Sequence, residues 1–357
     1  MDWDSGFCPS DGSKRSSKAT SDGPWSTSCP RTPCRLATRA AAGCARSTQH
    51  LLRHKVLLPW HHRGIKQLAQ SVSLLTGETN GAYPSGNSLL ITGSSETVII
   101  DPSVTIAAAG GVGLPVDAVI NSHAHEDHMA GNATFPDARV HIHADDLYGA
   151  HSIDGMLDGY GLDGAARDDF RHTLLTEFHY SPRPDALTFQ DGHSWDLGGV
   201  TIEAVHLPGH TAGHSGFRIS GGVFFLSDID LTGFGPYYGD VFSSLDDFED
   251  SLIKVREEDA DHYVTFHHKG VIEGRERFLE MLDAFHAVIH RRHAAMLEFL
   301  SEPHTIEEMV ANRFVYRPHV EHVFADQVER RTAELHVARM LDRGEATEVD
   351  PGRFQTV

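Results

Sequence analysis

The sequence predicts an α/β protein that is followed by a small helical region at its C-terminal end. Two observations indicate this fold class. From residue 67 onward, short apolar runs are bounded by Gly, Asn, Ser and Pro, which is typical of strands and turns. After residue 275, apolar residues recur near the 3.6-residue spacing of an amphipathic helix. A packed core is feasible because 40% of the 357 residues are hydrophobic.

Each element follows from its local pattern. Strands are expected at residues 71–75, 88–92, 97–100, 116–120, 139–143, 200–207, 223–226 and 262–266, the last strand of the chain. Helices are expected to begin at 145–150 and to span 245–256, 278–297 and 328–341. Residues 151–186 lack a clear period and predict an inserted, partly helical segment. Thr305 and Glu308 form a capping-box pattern before a further helix, and Gly344 ends the final one.

Composition divides the chain into three parts. Residues 1–66 hold all four cysteines, 11 of the 30 Lys and Arg residues and 4 of the 50 Asp and Glu residues. Their Ser, Thr, Pro and Gly content cannot bury much apolar surface, so we expect a disordered N-terminal extension or a misplaced start codon. Residues 67–300 are predicted to form the catalytic α/β domain. Residues 301–357 are predicted to form the small helical domain.

Charge and hydropathy disfavour several classes of protein. A formal net charge of −20 argues against broad nucleic-acid binding. Because no run of about 18 apolar residues occurs, a membrane-spanning helix is not expected. The cysteine-free body suits a cytoplasmic location, whereas the basic, Ser-rich start loosely resembles an organelle transit peptide. We expect a small-molecule substrate, no membrane partner, and packing or homodimerisation through the C-terminal helices.

Four polar clusters each follow a predicted strand. They lie at residues 123–128, 208–214, 227–230 and 267–270. Strand ends at one edge of a sheet converge, so loops there can pool side chains from distant parts of the chain. The clusters offer imidazole and carboxylate but no thiolate, a set that suits Zn²⁺ and also Fe or Mn.

These clusters contain enough ligands for two ions. His123 and His125 can hold one ion together with His210, and Asp127 and His128 can hold a neighbouring ion with a histidine of the last cluster. Two adjacent ions can share a hydroxide and clamp the attacking and leaving oxygens. The candidate metal ligands are His123, His125, Asp127, His128, His210, Asp228, His267 and His268.

Two assignments have alternatives. Asp228 is favoured as the carboxylate that bridges both ions because it directly follows Leu226 and Ser227 at the end of a predicted strand, but Asp230 is only two residues away. In the last cluster either His267 or His268 could be the ligand, and His267 is nearer the strand end. A histidine elsewhere is weak evidence, since the chain contains 26.

The cluster His-Ala-His-Glu-Asp-His at 123–128 resembles the His-x-His-x-Asp-His signature of the metallo-β-lactamase superfamily. The Pro-Gly-His-Thr element at 208–211, the strand-end Asp and the late His follow in the expected order, so the resemblance spans about residues 67–275. It implies an αββα sandwich with a metal site at the edge between two sheets. The C-terminal region resembles the winged-helix appendage of some superfamily hydrolases.

The resemblance also narrows the expected activity. The absence of Cys from the body differs from β-lactamases that use a Cys ligand, so antibiotic hydrolysis is disfavoured. Residues 208–214 are more similar to the thioester-hydrolase branch, such as the hydroxyacylglutathione hydrolases.

We therefore expect a binuclear hydrolase with two Zn²⁺ ions, or Fe or Mn, in which a metal-bound hydroxide attacks a thioester, lactone or phosphoester. Asp127 would be the catalytic residue that orients or deprotonates the nucleophile. A mononuclear iron dioxygenase and a metal-containing binding or sensing protein are the alternatives.

Overall fold

Residues 64–357, which a computed structural model describes, contain a seven-stranded sheet that forms one half of a sandwich. Its strands are β1 (Ile65–Ala69), β2 (Val72–Leu75), β3 (Ser88–Thr92), β4 (Thr97–Ile100), β5 (Ala118–Ile120), β6 (Arg139–His143) and β7 (Leu187–Phe189). They lie side by side in chain order. The first four form an antiparallel meander, in which β2, β3 and β4 were predicted and β1 was not, and β4 to β7 pair in parallel.

The second sheet has six strands. They are β8 (Ser194–Asp196), β9 (Thr201–His206), β10 (Ser215–Ile219), β11 (Val223–Ser227), β12 (His262–Thr265) and β13 (Val271–Glu273). Their spatial order is β13-β12-β11-β10-β9-β8. Only the pairing of β11 with β12 is parallel within this sheet. As a result, these two strands end at the same edge and deliver their following loops side by side.

Helices flank the two sheets. They are α1 (Val104–Ala109), α2 (Glu126–Met129), α3 (Leu147–His151), α4 (Ile153–Tyr160), α5 (Gly164–Thr176), α6 (Leu245–Arg256) and α7 (Arg275–Phe299). Helix α6 has the predicted bounds. The segment at 151–186 is helical over α4 and α5, and both helices pack on an apolar cluster beside α2.

The apolar faces of the strands explain the layering. Leu89 and Ile91 of β3 point into the core between the sheets, where they join Phe225 of β11. Leu90 points the opposite way, onto α1, and Phe224 points onto α6 and α7. Because successive side chains of a strand alternate between faces, apolar residues at adjacent positions require helices outside both sheets. This is the αββα arrangement that the sequence resemblance implies.

The chain after α7 contains strands that the sequence analysis did not predict. Helices α8 (Ile306–Asn312) and α9 (Ala325–Arg343) accompany a three-stranded sheet of β14 (His304–Thr305), β15 (Ala346–Asp350) and β16 (Arg353–Thr356). The expectation that 262–266 is the last strand is therefore wrong. These strands are short, and Ala346 is their only buried residue, so they lack the apolar alternation by which a strand is detected. The predicted capping box of Thr305 and Glu308 is confirmed.

Part of the predicted division into domains falls on residues that the structure does not describe. Almost all of the N-terminal part, residues 1–63, lies outside the described residues, and β1 begins two residues before the predicted start of the catalytic domain. Near the predicted boundary at 300 and 301, Met296 at the end of α7 shares an apolar cluster with Met309 and Met340. The division there stays a prediction. Among residues 64–357, no helix combines the length and apolar character needed to cross a bilayer.

Two adjacent residues of α6 provide a test of how this helix packs outside the second sheet. Leu252 is 2% exposed under the second sheet, whereas Ile253 is 58% exposed. Leu252→Ala should lower the free energy of unfolding by about 2–5 kcal/mol because it leaves a cavity. Ile253→Ala should change it by less than about 0.5 kcal/mol. Urea unfolding of both variants measures this, and equal losses would contradict the packing of α6.

Candidate metal centre

The predicted polar clusters meet at one edge of the sandwich. His123 follows β5, and α2 begins directly after its N-cap residue His125, so the next acidic and imidazole groups lie in its first turn. The loop between β9 and β10 carries His210, while Asp228 and His267 follow the parallel strands β11 and β12. Strands β5 and β11 are buried throughout and β12 is buried after its first residue, so the strand ends are the first places where polar groups can gather.

Three imidazoles converge in a first group. The Nε2 atom of His123 lies 2.9 Å from Nδ1 of His125, and Nε2 of His210 lies 3.2 Å and 3.0 Å from these two atoms. Asp228 completes the group, with its Oδ2 atom 3.3 Å from Nε2 of His210. All three imidazoles are buried.

A second group lies on the other side of Asp228. Nε2 of His267 is 3.0 Å from Oδ2 of Asp127, and Nε2 of His128 is 3.9 Å from Oδ1 of Asp127. The remaining oxygen of Asp228, Oδ1, is 3.1 Å from Nε2 of His128 and 3.9 Å from Nε2 of His267. One carboxylate therefore presents one oxygen to each group of imidazoles.

The donor atoms fit bound cations. Asp127 Oδ2, His128 Nε2 and Asp228 Oδ1 are buried and have no partner with hydrogen-bond geometry among the described residues, although they lie close to one another. Buried polar atoms normally have such partners, because leaving them unpaired is costly. Imidazole and carboxylate donors that crowd together in this way suit Zn²⁺, Fe or Mn. Both groups could hold a metal ion.

Carboxylates and a hydroxyl fix the outer nitrogens of three of the histidines. Nδ1 of His128 contacts Asp101 at 2.8 Å, and Nε2 of His125 contacts Asp240 at 2.6 Å. Nδ1 of His123 lies 3.0 Å from the hydroxyl of Ser122. Backbone carbonyls contact the outer nitrogens of the other two histidines. Nδ1 of His210 contacts the carbonyl of Tyr237, and Nδ1 of His267 contacts those of Gly81 and Ser85. Such partners set the tautomer and orientation of a metal-binding imidazole.

The sequence analysis missed the roles of Asp101 and Asp240. Asp101 directly follows β4, so it carries the same strand-end signal as Asp228. It accepts hydrogen bonds from the backbone N–H and the hydroxyl of Ser122 at 2.7 Å and 2.6 Å. Asp240 lies within the long loop between β11 and α6, and nothing in its local sequence indicates contact with a histidine 115 residues away.

Further bonds tie the clusters together. Asp146 accepts from the backbone N–H groups of Ala124 and Gly213, at 3.0 Å and 2.7 Å, and from the hydroxyl of Thr211 at 2.6 Å. It therefore joins the loop of His123 to that of His210. At the start of the second loop, Gly209 has φ 122°, and a Cβ atom there would lie 2.3 Å from the backbone nitrogen of Phe248. Only glycine fits this turn.

Charge compensation shifts the titration of the site. Burial lowers the pKa of His125, but the Asp240 carboxylate outweighs burial and raises it to about 9. Burial also lowers the pKa of His267, but the carboxylates of Asp228 and Asp127 outweigh burial and raise that pKa to about 9. At Asp228 burial favours the neutral acid, yet the neighbouring imidazoles hold its pKa well below the usual range.

Two alternatives from the sequence lie outside both groups. His268 is not among the grouped ligand atoms, has φ 57° and accepts a hydrogen bond from Asn80 at its backbone carbonyl. Asp230 instead accepts from the backbone N–H and hydroxyl of Thr232, both at 3.0 Å. The structure thus brings together seven of the eight predicted ligands, with His267 in place of His268 and Asp228 in place of Asp230.

Comparison with known proteins identifies the family. A family model described as the metallo-beta-lactamase superfamily matches residues 83–268, which is more than half of the chain. The chain belongs to the metallo-beta-lactamase superfamily. The predicted resemblance is therefore confirmed. No curated protein sequence matches this superfamily member.

Solved structures agree with the αββα fold. A metallo-beta-lactamase family protein from Thermus thermophilus matches with a TM-score of 0.59 and 20% identity, over 82% of this chain and 100% of that chain. A beta-lactamase domain protein from Burkholderia ambifaria also has a TM-score of 0.59, with 18% identity over 82% of this chain and 93% of that chain. At these identities the similarity concerns the fold.

Neighbouring histidines provide a matched test of the second group. His267→Ala should lower the metal content by about one ion per chain because it removes one of the few ligands of that group. His268→Ala should retain the metal content of the natural protein. Elemental analysis after dialysis against a weak chelator distinguishes them. Equal metal loss in both variants would contradict the assignment.

Metal affinity should also depend on pH. Since the pKa values of His125 and His267 are raised to about 9 before metal binds, both imidazoles are protonated at neutral pH. Metal binding must displace these protons, so affinity should rise between pH 6 and 9 by about tenfold per pH unit for each proton released. Chelator competition across this range measures the slope, and a flat profile would contradict it.

Proposed function

We propose that this member of the superfamily is a binuclear metal-dependent hydrolase that acts on a thioester, lactone or phosphoester. The observation that carries the proposal is the position of Asp228, whose two oxygens face separate groups of buried imidazoles. A single ion would need only one of these groups. Zn²⁺ is the ion we favour, with Fe or Mn as alternatives that the same ligands accept.

The first group would hold one ion through His123, His125 and His210, and the second would hold another through Asp127, His128 and His267. Bound ions in these positions would polarise the scissile carbonyl or phosphoryl group and lower the pKa of a water molecule.

The protein's own groups supply orientation and a proton acceptor. Asp127 is ionised, because the imidazoles of His128 and His267 offset the effect of burial and lower its pKa. Its Oδ2 atom lies 3.0 Å from Nε2 of His267 and therefore faces the second imidazole group. We assign Asp127 the role of accepting the proton that the attacking water releases. The hydroxyl of that water is added to the acyl or phosphoryl centre. The leaving group then takes up a proton as its bond breaks.

Glu126 lies between His125 and Asp127 in sequence but has a different role. It is 3% exposed, and its carboxylate accepts hydrogen bonds from the phenols of Tyr83, at 2.9 Å, and Tyr160. These bonds engage both of its oxygens, and Glu126 is not among the residues of either imidazole group. Glu126 is therefore assigned to positioning the helix α2 that carries Asp127, rather than to metal binding.

Activity of the metal-loaded chain tests the proposal. A panel of thioesters, lactones and phosphodiesters should contain a substrate whose turnover requires metal. Asp127→Asn should lower kcat by about 10²–10⁴-fold because it removes the proton acceptor. Asp230→Asn changes a carboxylate two residues from Asp228 but outside both groups, so its activity should stay near that of the natural protein.

Three outcomes would overturn this function. Full turnover in a metal-free preparation would exclude a metal-dependent reaction. One Fe per chain with oxygen uptake would favour the dioxygenase alternative. Inactivity of the metal-loaded chain on the whole panel would favour a binding or sensing role.

A further inference from the structure

Aromatic side chains stand partly exposed beside a centre whose ligands are buried. Tyr83 is 39% exposed and Phe234 is 37% exposed, whereas the side chain of Asp228 is 13% exposed and the ligand imidazoles are more deeply buried. Tyr83 lies directly against the site, with its ring centroid 6.3 Å from that of His267. Partly exposed apolar surface next to a functional centre is typical of a ligand-binding cleft.

Residues from the C-terminal region continue this surface. The ring of His322 lies 6.2 Å from that of Tyr83, and the ring of Tyr316 lies 5.9 Å from that of His322. Tyr316 in turn lies 5.6 Å from Phe234, which belongs to the loop after β11. We call these four side chains, Tyr83, His322, Tyr316 and Phe234, the aromatic row. It connects the second imidazole group to the loop that carries Asp240.

A buried carboxylate fixes the part of the row that contains Tyr316. Glu329 of α9 is 1% exposed, and it accepts hydrogen bonds from the backbone N–H groups of Phe314, Val315 and Tyr316 at 2.8 Å, 3.0 Å and 2.7 Å. Burying a carboxylate is unfavourable unless such donors compensate it. The three bonds hold the backbone before His322 in one conformation.

The other end of the row is fixed by a buried cation. Arg292 of α7 is 5% exposed and donates to the backbone carbonyl of Phe234 at 2.7 Å and to that of Pro236. Its charge is therefore committed to the loop rather than to a ligand. Asp240 of the same loop is likewise committed, because it is buried and contacts Nε2 of His125 at 2.6 Å and the phenol of Tyr237 at 3.0 Å. A carboxylate on the acyl group would lose its hydration against the aromatic rings and gain no contact with Arg292.

We propose that the aromatic row is the acyl-binding wall of the substrate cleft and selects uncharged thioesters, esters or lactones that carry a flat apolar group beside the scissile bond. This inference rests on the proposed hydrolase function and narrows its substrate class. Tyr316 and His322 are the specificity-determining residues, and Glu329 is a positioning residue. Acyl groups with a second carboxylate lie outside the preferred class, because that carboxylate would lose its hydration against the row.

The proposed role of the aromatic row can be tested with three thioesters of one small thiol and the full, metal-loaded chain. Phenylacetyl, acetyl and succinyl N-acetylcysteamine differ only in the acyl group, and loss of thioester absorbance reports turnover. The natural protein should prefer phenylacetyl over acetyl and succinyl by about tenfold in kcat/KM. A preference for the succinyl thioester would overturn the proposal.

Variants of the row separate recognition from chemistry. Tyr316→Ala and His322→Ala should each raise KM for the phenylacetyl thioester by about fivefold, while kcat/KM for the acetyl thioester stays within about twofold. Tyr316→Phe keeps the ring and should keep the preference, which also controls for folding. Glu329→Gln should lower the preference in the same direction as Tyr316→Ala. Equal effects on both thioesters would overturn the proposal.

A binding measurement tests the role of the aromatic row separately from the hydrolase function. Calorimetry with the phenylacetyl amide analogue, which lacks the thioester, should show about fivefold weaker binding to Tyr316→Ala than to the natural protein. If thioesters are not hydrolysed but this difference in binding is found, the aromatic row binds the acyl group and the proposed hydrolase function is wrong. If thioesters are hydrolysed and the two proteins bind the analogue equally, the proposed role of the aromatic row is wrong and the hydrolase function is supported.

Discussion

The burial of two carboxylates among five imidazoles is the constraint on which the rest of the site depends. Asp228 and Asp127 lie in an environment that would by itself favour their neutral forms. They remain ionised because imidazoles surround them, and those imidazoles are in turn fixed by partners outside the group. The cluster is stable only as a whole, since removing one member leaves another buried and unpaired. This explains why residues from four separate loops must reach the same edge of the sandwich.

Local sequence pattern predicts the α/β class and most of the residues that gather in the candidate centre. Strands β3, β4 and β6 have the predicted bounds, because each is a short apolar run between turn residues. The candidate ligands were found because acids and histidines directly follow such strands. Asp228 could be preferred to Asp230 on this basis, since Ser227 is the last residue of β11 and only the next side chain stays at the strand end.

The remaining features depend on contacts that a local pattern does not contain. Strand β10 begins with Ser215 and Gly216, so its pairing between β9 and β11 has no strong apolar signal. The contact of Asp240 with His125 depends on the course of the whole loop after β11. The strands of the C-terminal sheet lack a local signal for a related reason, because they pair with each other and bring only Ala346 and Phe354 to the apolar cluster of that region.

The C-terminal helix α9 acts on the candidate centre through this same loop. His336 lies with its Nε2 atom 3.0 Å from the phenol of Tyr238, and Arg331 donates to the backbone carbonyl of Ser243 at 3.1 Å. Between these contacts, a Cβ atom at Gly239 would lie 2.4 Å from the side chain of Val328, so the helix and the loop approach too closely for any other residue. Asp240 follows this close contact directly. The orientation of an imidazole in the first group therefore depends on a helix far along the chain from the loop, which makes the C-terminal region a structural part of the site.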